Sequence, residues 1–249
     1  MTASADDVLS RVAKDRAAVY AALSVAFYLP APDLVWDLRS GSFGQGIARA
    51  VAWLGPDADL YRAAIGELLE LERALAPRSA EEVLHELRVE HARLYTGPGR
   101  PAVPAFESEY LDSSDGEASG PLNGPSTARV ARWLRESGFG PAAGHRDLPD
   151  HVATELEFLH ALALDESSLR IEGRSDEAAG RRREVDRFLR EHAGRWMPEF
   201  ARRTLAADPH PFYRSMVAVL AVHVAVERGD PFDRSVLPWA RADGPRPRG

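Results

Sequence analysis

Apolar residues recur along this chain at the three-and-four spacing of amphipathic helices. Val8, Val12, Val19, Leu23 and Phe27 mark a helix that ends at Pro30, and Ser4 with Asp7 forms a capping pair at its start. Pro32–Ser40 and Phe43–Leu54 read as two short helices, the second closed by Gly55 and Pro56. Leu60, Ala64, Leu68, Leu71 and Leu75 give another, stopped by Pro77. A capping box of Ser79 with Glu82 opens the next, through Val83, Leu87 and Leu94. Further helices are predicted at Val130–Ser137 (capped by Gly138), from residue 148 onward, and at Asp176–Ala193, Trp196–Ala206 and Pro211–Arg228. The last carries five valines that suit a strand, but its length and Pro211 in the first turn favour a helix buried nearly all round. There is no internal repeat and no convincing strand pair. The fold class is all-α: one helical domain over residues 1–228, then a mobile Pro/Arg-rich tail at 229–249.

Two places break the pattern. Residues 96–126 form a long Gly/Pro/Ser-rich segment with no obvious regular element. Loops of that length are uncommon in compact domains and tend to be functional or disordered. From 101 to 128 it holds five acids (Glu107, Glu109, Asp112, Asp115 and Glu117) and no base, with Phe106 and Tyr110 among them. The second place is "LPDHVATELEFLH", 148–160. On a helical wheel Val152, Leu156, Leu159 and Ala163 form an apolar stripe that Phe158 and Leu162 widen. His151 and Glu155 fall inside the widened arc, whereas Asp150, Glu157 and His160 fall outside it. His151 and Glu155 are then either a buried pair satisfying each other one turn apart or residues turned toward a groove.

Composition narrows the function. A net charge of −7 argues against a general nucleic-acid or anionic-membrane binder. The absence of cysteine excludes disulfides, thiolate metal sites and a cysteine nucleophile, and suits a reducing cytosol. Lys14 is the only lysine, so no phosphate-binding G-x-x-x-x-G-K-[ST] loop occurs. The N-terminal residues do not read as a secretion signal, and the longest apolar run, 216–226, is too short to span a bilayer. Two E-x-x-H motifs, Glu82 with His85 and Glu157 with His160, raise a helical di-iron or other metal enzyme as an alternative. The wheel turns the second pair away from the core, and the capping role of Glu82 already accounts for the first. There is no G-x-S-x-G elbow. "GRRRE", 180–184, reads as a solvated helix face.

Three motifs in order carry a resemblance: "LYTGPGRPAVPAFESEY", then "LPDHVATELEFL", then "HAGRWMPEFARR". Over roughly residues 10–228 the chain is similar to the TorD/DmsD/NarJ family, the cytoplasmic maturation chaperones of molybdenum-containing respiratory enzymes. The resemblance implies a helical-bundle domain of the TorD/DmsD type with a long Gly/Pro-rich acidic loop. It implies no catalytic residue, no metal site and no cofactor of its own, the molybdopterin belonging to the client. The partner implied is a molybdoenzyme catalytic-subunit precursor. The chaperone binds its N-terminal leader, often of twin-arginine type, assists cofactor insertion and holds the apoenzyme back from export. By motif, the peptide-binding candidates are Leu94, Tyr95, Phe106, Glu107, Tyr110, Asp150, His151 and Glu155. At His91 some relatives carry an aromatic residue. The resemblance leaves a monomer or a domain-swapped dimer open. A helical adaptor for some unrelated protein is the other reading.

Overall fold

A computed structural model describes residues 4–52, 57–97, 101–114, 119–139 and 148–232. Among these the chain is helical throughout and forms no strand, in agreement with the all-α reading. The elements are α1 (Ala5–Phe27), α2 (Pro32–Ser40), α3 (Ser42–Val51), α4 (Ala58–Leu75) and α5 (Ala80–His91), followed by a π-helical turn at Ala92–Thr96. Then come α6 (Glu107–Leu111), α7 (Pro125–Glu136), α8 (Val152–Ile171), α9 (Ser175–Glu191), α10 (Ala193–Ala206) and α11 (Pro211–Arg228). Local signals explain most of the boundaries. Ser4 and Asp7 exchange side-chain and backbone bonds as a complete capping box. Ser79 accepts from the backbone N–H of Glu82, and α2, α7 and α11 each begin on proline.

α1 and α8 pack antiparallel. Ser10 meets Ser167, His160 meets the Ala17 carbonyl and Ser24 Oγ donates to the Ala153 carbonyl. The face α1 buries is built largely of small residues (Ser10, Ala13, Ala17, Ser24 and Ala26), while Val8, expected to mark its apolar side, is exposed. Small side chains let the two backbones approach closely enough for those hydrogen bonds. α11 runs through the middle, against α4 on one side and α10 on the other, and every residue from Ser215 to Val224 is buried. His223 sits in its buried stretch with Nδ1 2.9 Å from the Tyr61 hydroxyl. Its ring lies edge-on to Tyr20, centroids 4.6 Å apart. Burial pushes its pKa down to about 4, so the ring that pairs with Tyr61 is neutral. One turn before Tyr20 on α1, Arg16 is buried between Glu166 and Glu227, which also hold Arg170 and Arg182.

The expected tail falls mostly at residues 233–249, outside the described ones. Its first residues belong to the fold: Gly229 ends α11 in the left-handed conformation (φ 68°), and Phe232 packs on the core. Asp115, Glu117 and the second and third residues of "GPG" also lie outside the described residues, as do Leu54, Gly55 and Pro56.

Candidate functional site

The segment read as featureless is built onto the start of α8. Val103 donates to the Leu94 carbonyl at 2.8 Å, which turns the chain back after the π turn. Phe106 and His151 then form an isolated antiparallel bridge. Glu107 N donates to the Asp150 carbonyl and Val152 N to the Ala105 carbonyl, both at 2.9 Å. One turn of helix, α6, follows directly. Such a short helix needs outside partners for its unpaired N–H groups, and Asp150 supplies one. Its Oδ2 accepts from Ser108 N at 3.0 Å and from Thr127 Oγ1 at 2.9 Å. One carboxylate thereby fastens α6, α7 and the entry to α8.

Asp150 is completely buried, against the wheel that put it outside the apolar arc. The reason is that α8 begins only at Val152, so residue 150 never joins the helical periodicity. His151 is likewise not on the helix but caps it, Nδ1 accepting from Ala153 N at 3.3 Å. Histidine is not a favoured cap type, so nothing local announced this. Its ring lies between Phe106 (centroids 5.0 Å apart) and Tyr28 (6.2 Å, nearly parallel).

Glu155 lies one turn further on, fully buried. Its Oε2 accepts from Trp196 Nε1 at 3.1 Å, and the carboxyl faces that of Glu107, which repels its charged form. Glu107, also fully buried, has Oε1 3.0 Å and Oε2 3.1 Å from His192 Nδ1. Burial first, then repulsion from Glu107, holds the Glu155 pKa well above the usual carboxylate range, with Asp150 adding a smaller push. Glu155 therefore holds its proton to a higher pH than an ordinary carboxyl. The partner of Glu155 is a residue of α6 and an indole of α10.

His192 and Trp196 complete the site and were not among the candidates. The signal was present, since both stand in "HAGRWMPEFARR". The corner between α9 and α10 places them. A Cβ at Gly194 would lie 2.4 Å from the Leu189 carbonyl oxygen, so only glycine lets α10 start so close to the end of α9. Trp133 and Phe188 enclose the His192 ring, with centroids 5.2 and 5.0 Å away.

The remaining candidates divide between wall and surface. Leu94 and Tyr95 are buried on the π turn. The Tyr95 ring packs among Phe27, His91, Phe200 and Tyr213. They form the back wall of the site and present no open groove. Phe106 and Tyr110 are only half-buried. Tyr110 packs tilted against Trp196, ring centroids 5.2 Å apart, and donates to the Pro104 carbonyl at 2.7 Å. Six of the eight candidates thus converge on one joint between 103–112, α8 and α10, with Leu94 and Tyr95 behind it, Leu94 tied in through Val103.

The E-x-x-H pairs do not converge. Glu157 accepts from Tyr28 Oη at 2.8 Å, and His160 Nδ1 lies 2.8 Å from the Ala17 carbonyl. Among the described residues no group of three or more metal-ligating side chains comes together. No helix there is long and apolar enough to cross a membrane.

A family model described as the nitrate reductase delta subunit matches residues 57–202, more than half of the chain and all of this joint. The chain belongs to the TorD/DmsD/NarJ family. It is similar to the chaperone protein TorD of Shewanella loihica, 21% identical over 159 residues, covering 63% of this chain and 68% of that one. TorD of Vibrio vulnificus (strain YJ016) is 24% identical over 162 residues, 65% and 71% of the two chains. The selenate reductase assembly chaperone protein of Thauera selenatis is 46% identical over a shorter stretch of 63 residues, 25% of this chain and 32% of that one. The TorD/DmsD/NarJ proteins so named are chaperones, and this member is a chaperone for molybdoenzyme maturation, not an enzyme.

Proposed function

We propose that this chaperone binds the N-terminal leader, of twin-arginine type, of a molybdoenzyme catalytic-subunit precursor. It acts in the cytoplasm, assists insertion of the molybdenum cofactor and delays export until the client is folded. It carries no cofactor itself and works as a monomer or a domain-swapped dimer. The observation that carries this reading is the joint at Phe106–His151. An irregular acidic segment is held on the helical body by buried carboxyl groups, and two half-buried aromatic rings stand at its surface. Glu107, Asp150 and Glu155 are committed to partners inside the fold. Their part is to brace the segment, while Phe106 and Tyr110 meet the apolar residues of the leader. Asp112 is committed too, accepting from Ser126 N and Oγ with Arg129 at 3.4 Å, so the leader's guanidinium groups fall to acids outside this cluster.

The experiment is a tagged pull-down from the native host grown anaerobically, with mass spectrometry of what co-purifies. A molybdoenzyme catalytic subunit with its leader intact is the expected result. Its absence from the eluate while the host is making it would sink the proposal. A synthetic leader of that subunit should bind the purified chaperone at least tenfold more weakly after Phe106→Ala with Tyr110→Ala, with the melting temperature little changed.

A further inference from the structure

An open cleft of about 820 Å³ lies between α7 and α9, on the far side of His192 from Glu107. Arg183, Arg187 and Arg190 line it from α9. Spaced four and three residues apart, they share one face of the helix over about 10 Å. All three are exposed, and among the described residues none of them makes an ion pair. Their neighbours on the same helix differ. Arg181 is held by Asp165 and Glu184, and Arg182 by Asp186 and Glu227. Two of the carboxylates lining the cleft, Glu184 and Asp186, are thus neutralised, and a third, Glu136, faces Arg132 at 3.9 Å. The Arg187 guanidinium lies 4.4 Å over the Trp133 ring, which orients it across the cleft.

We infer that the α7–α9 cleft docks an acidic segment of a partner polypeptide, with carboxylates about one helical turn apart. The guanidinium groups are strung along a helix instead of converging on a point, so they match spaced carboxylates better than a compact phosphate. Each offers the paired donors that a carboxylate accepts. Glu191, also lining the cleft, disfavours a dense anionic charge, and Trp133 offers an apolar surface to the segment's other side chains. On a chain of net charge −7, a local row of unpaired arginines selects by charge complementarity. This inference stands apart from the leader reading, since a twin-arginine leader is basic.

The test uses the full chain and a fluorescein-labelled 14-residue helical peptide carrying three glutamates at i, i+4 and i+7. A second peptide has glutamine at those positions. Fluorescence anisotropy should show the glutamate peptide binding at least tenfold more tightly than the glutamine peptide. Raising the salt from 50 to 300 mM should weaken it, and Arg183→Gln with Arg187→Gln and Arg190→Gln should abolish it. Equal binding of the two peptides overturns the inference without any change to the protein. So does unchanged binding by the triple variant. Full displacement by stoichiometric inorganic pyrophosphate would assign the cleft to a compact phosphate anion instead.

Discussion

Glu155 and Glu107 set two fully buried carboxyl groups against each other. Only one of them can keep its charge comfortably in such a place. The raised pKa of Glu155 sets the sign of the pH dependence. In the unfolded chain Glu155 loses its proton near pH 4.5; in the fold it holds it to a higher pH. Its contribution to stability is greatest at or below about pH 4.5 and is lost as pH rises through the folded value. Glu155→Gln keeps a neutral donor toward Glu107 and an acceptor for Trp196. At pH 8 it should raise the melting temperature by about 2–4 °C for each kcal/mol recovered. The two proteins should converge near pH 4.5. A variant that melts lower than wild type at pH 8 would contradict the raised Glu155 pKa.

Asp150 should behave as a cap whose loss is felt locally. Asp150→Ala removes the acceptor of Ser108 N and Thr127 Oγ1, at a cost of about 1–3 kcal/mol. Amide hydrogen exchange should accelerate at residues 107–109 while α11 stays protected. Asp150→Asn keeps one oxygen acceptor and should lie between the two. Uniform acceleration across the chain would show that Asp150 holds the whole fold and not the joint.

His223 acts in the opposite sense to Glu155. Its pKa falls from 6.5 to about 4 on folding, so the unfolded chain takes up the proton first. Stability from this group is complete above about pH 6.5 and is lost as pH falls toward 4. The difference amounts to about 3 kcal/mol. His223→Gln cannot titrate but still pairs with Tyr61. Its urea midpoint should start lower at pH 7 and fall less between pH 7 and 4.5 than that of wild type.

Arg16 is the buried cation of a pair of carboxylates that have other cations. Arg16→Met should destabilise by about 3 kcal/mol. That is the lower end for a broken buried pair, because Arg170 still holds Glu166 and Arg182 still holds Glu227. Chemical denaturation measures it directly. A loss under 1 kcal/mol would mean that water replaces the guanidinium there.

What the sequence revealed depended on how local the cause was. Ser4 with Asp7, Ser79, and the prolines at 32 and 211 announce helix starts because a cap acts within three residues. α11 was readable as a buried helix because apolar residues on every side leave no other placement. The joint was not readable in the same way. Glu107 meets His192 across 85 positions and Ser108 meets Asp150 across 42; no periodicity encodes either. Asp150 was misplaced because the wheel was continued past the true helix start. His151 and Glu155 looked like a pair because they stand four apart, yet one is a cap and the other answers to α6 and α10. The E-x-x-H pairs were set aside on separate local grounds: the wheel turned Glu157 and His160 from the core, where they meet Tyr28 and the Ala17 carbonyl, and Glu82 had its capping role.

The central position of α11 has a consequence for how the chain is made. Residues 211–228 are among the last of the described chain to be synthesised, yet they fill the space between α4 and α10. A nascent chain ending before Pro211 can pair α1 with α8 but lacks the helix that fills the space between α4 and α10. That part of the core cannot close until α11 has left the ribosome. Until then the faces that α11 will cover, including those around Tyr61, Phe200 and Tyr20, stay open to solvent. A protein that attends another chain's maturation is, during its own synthesis, in need of the same protection.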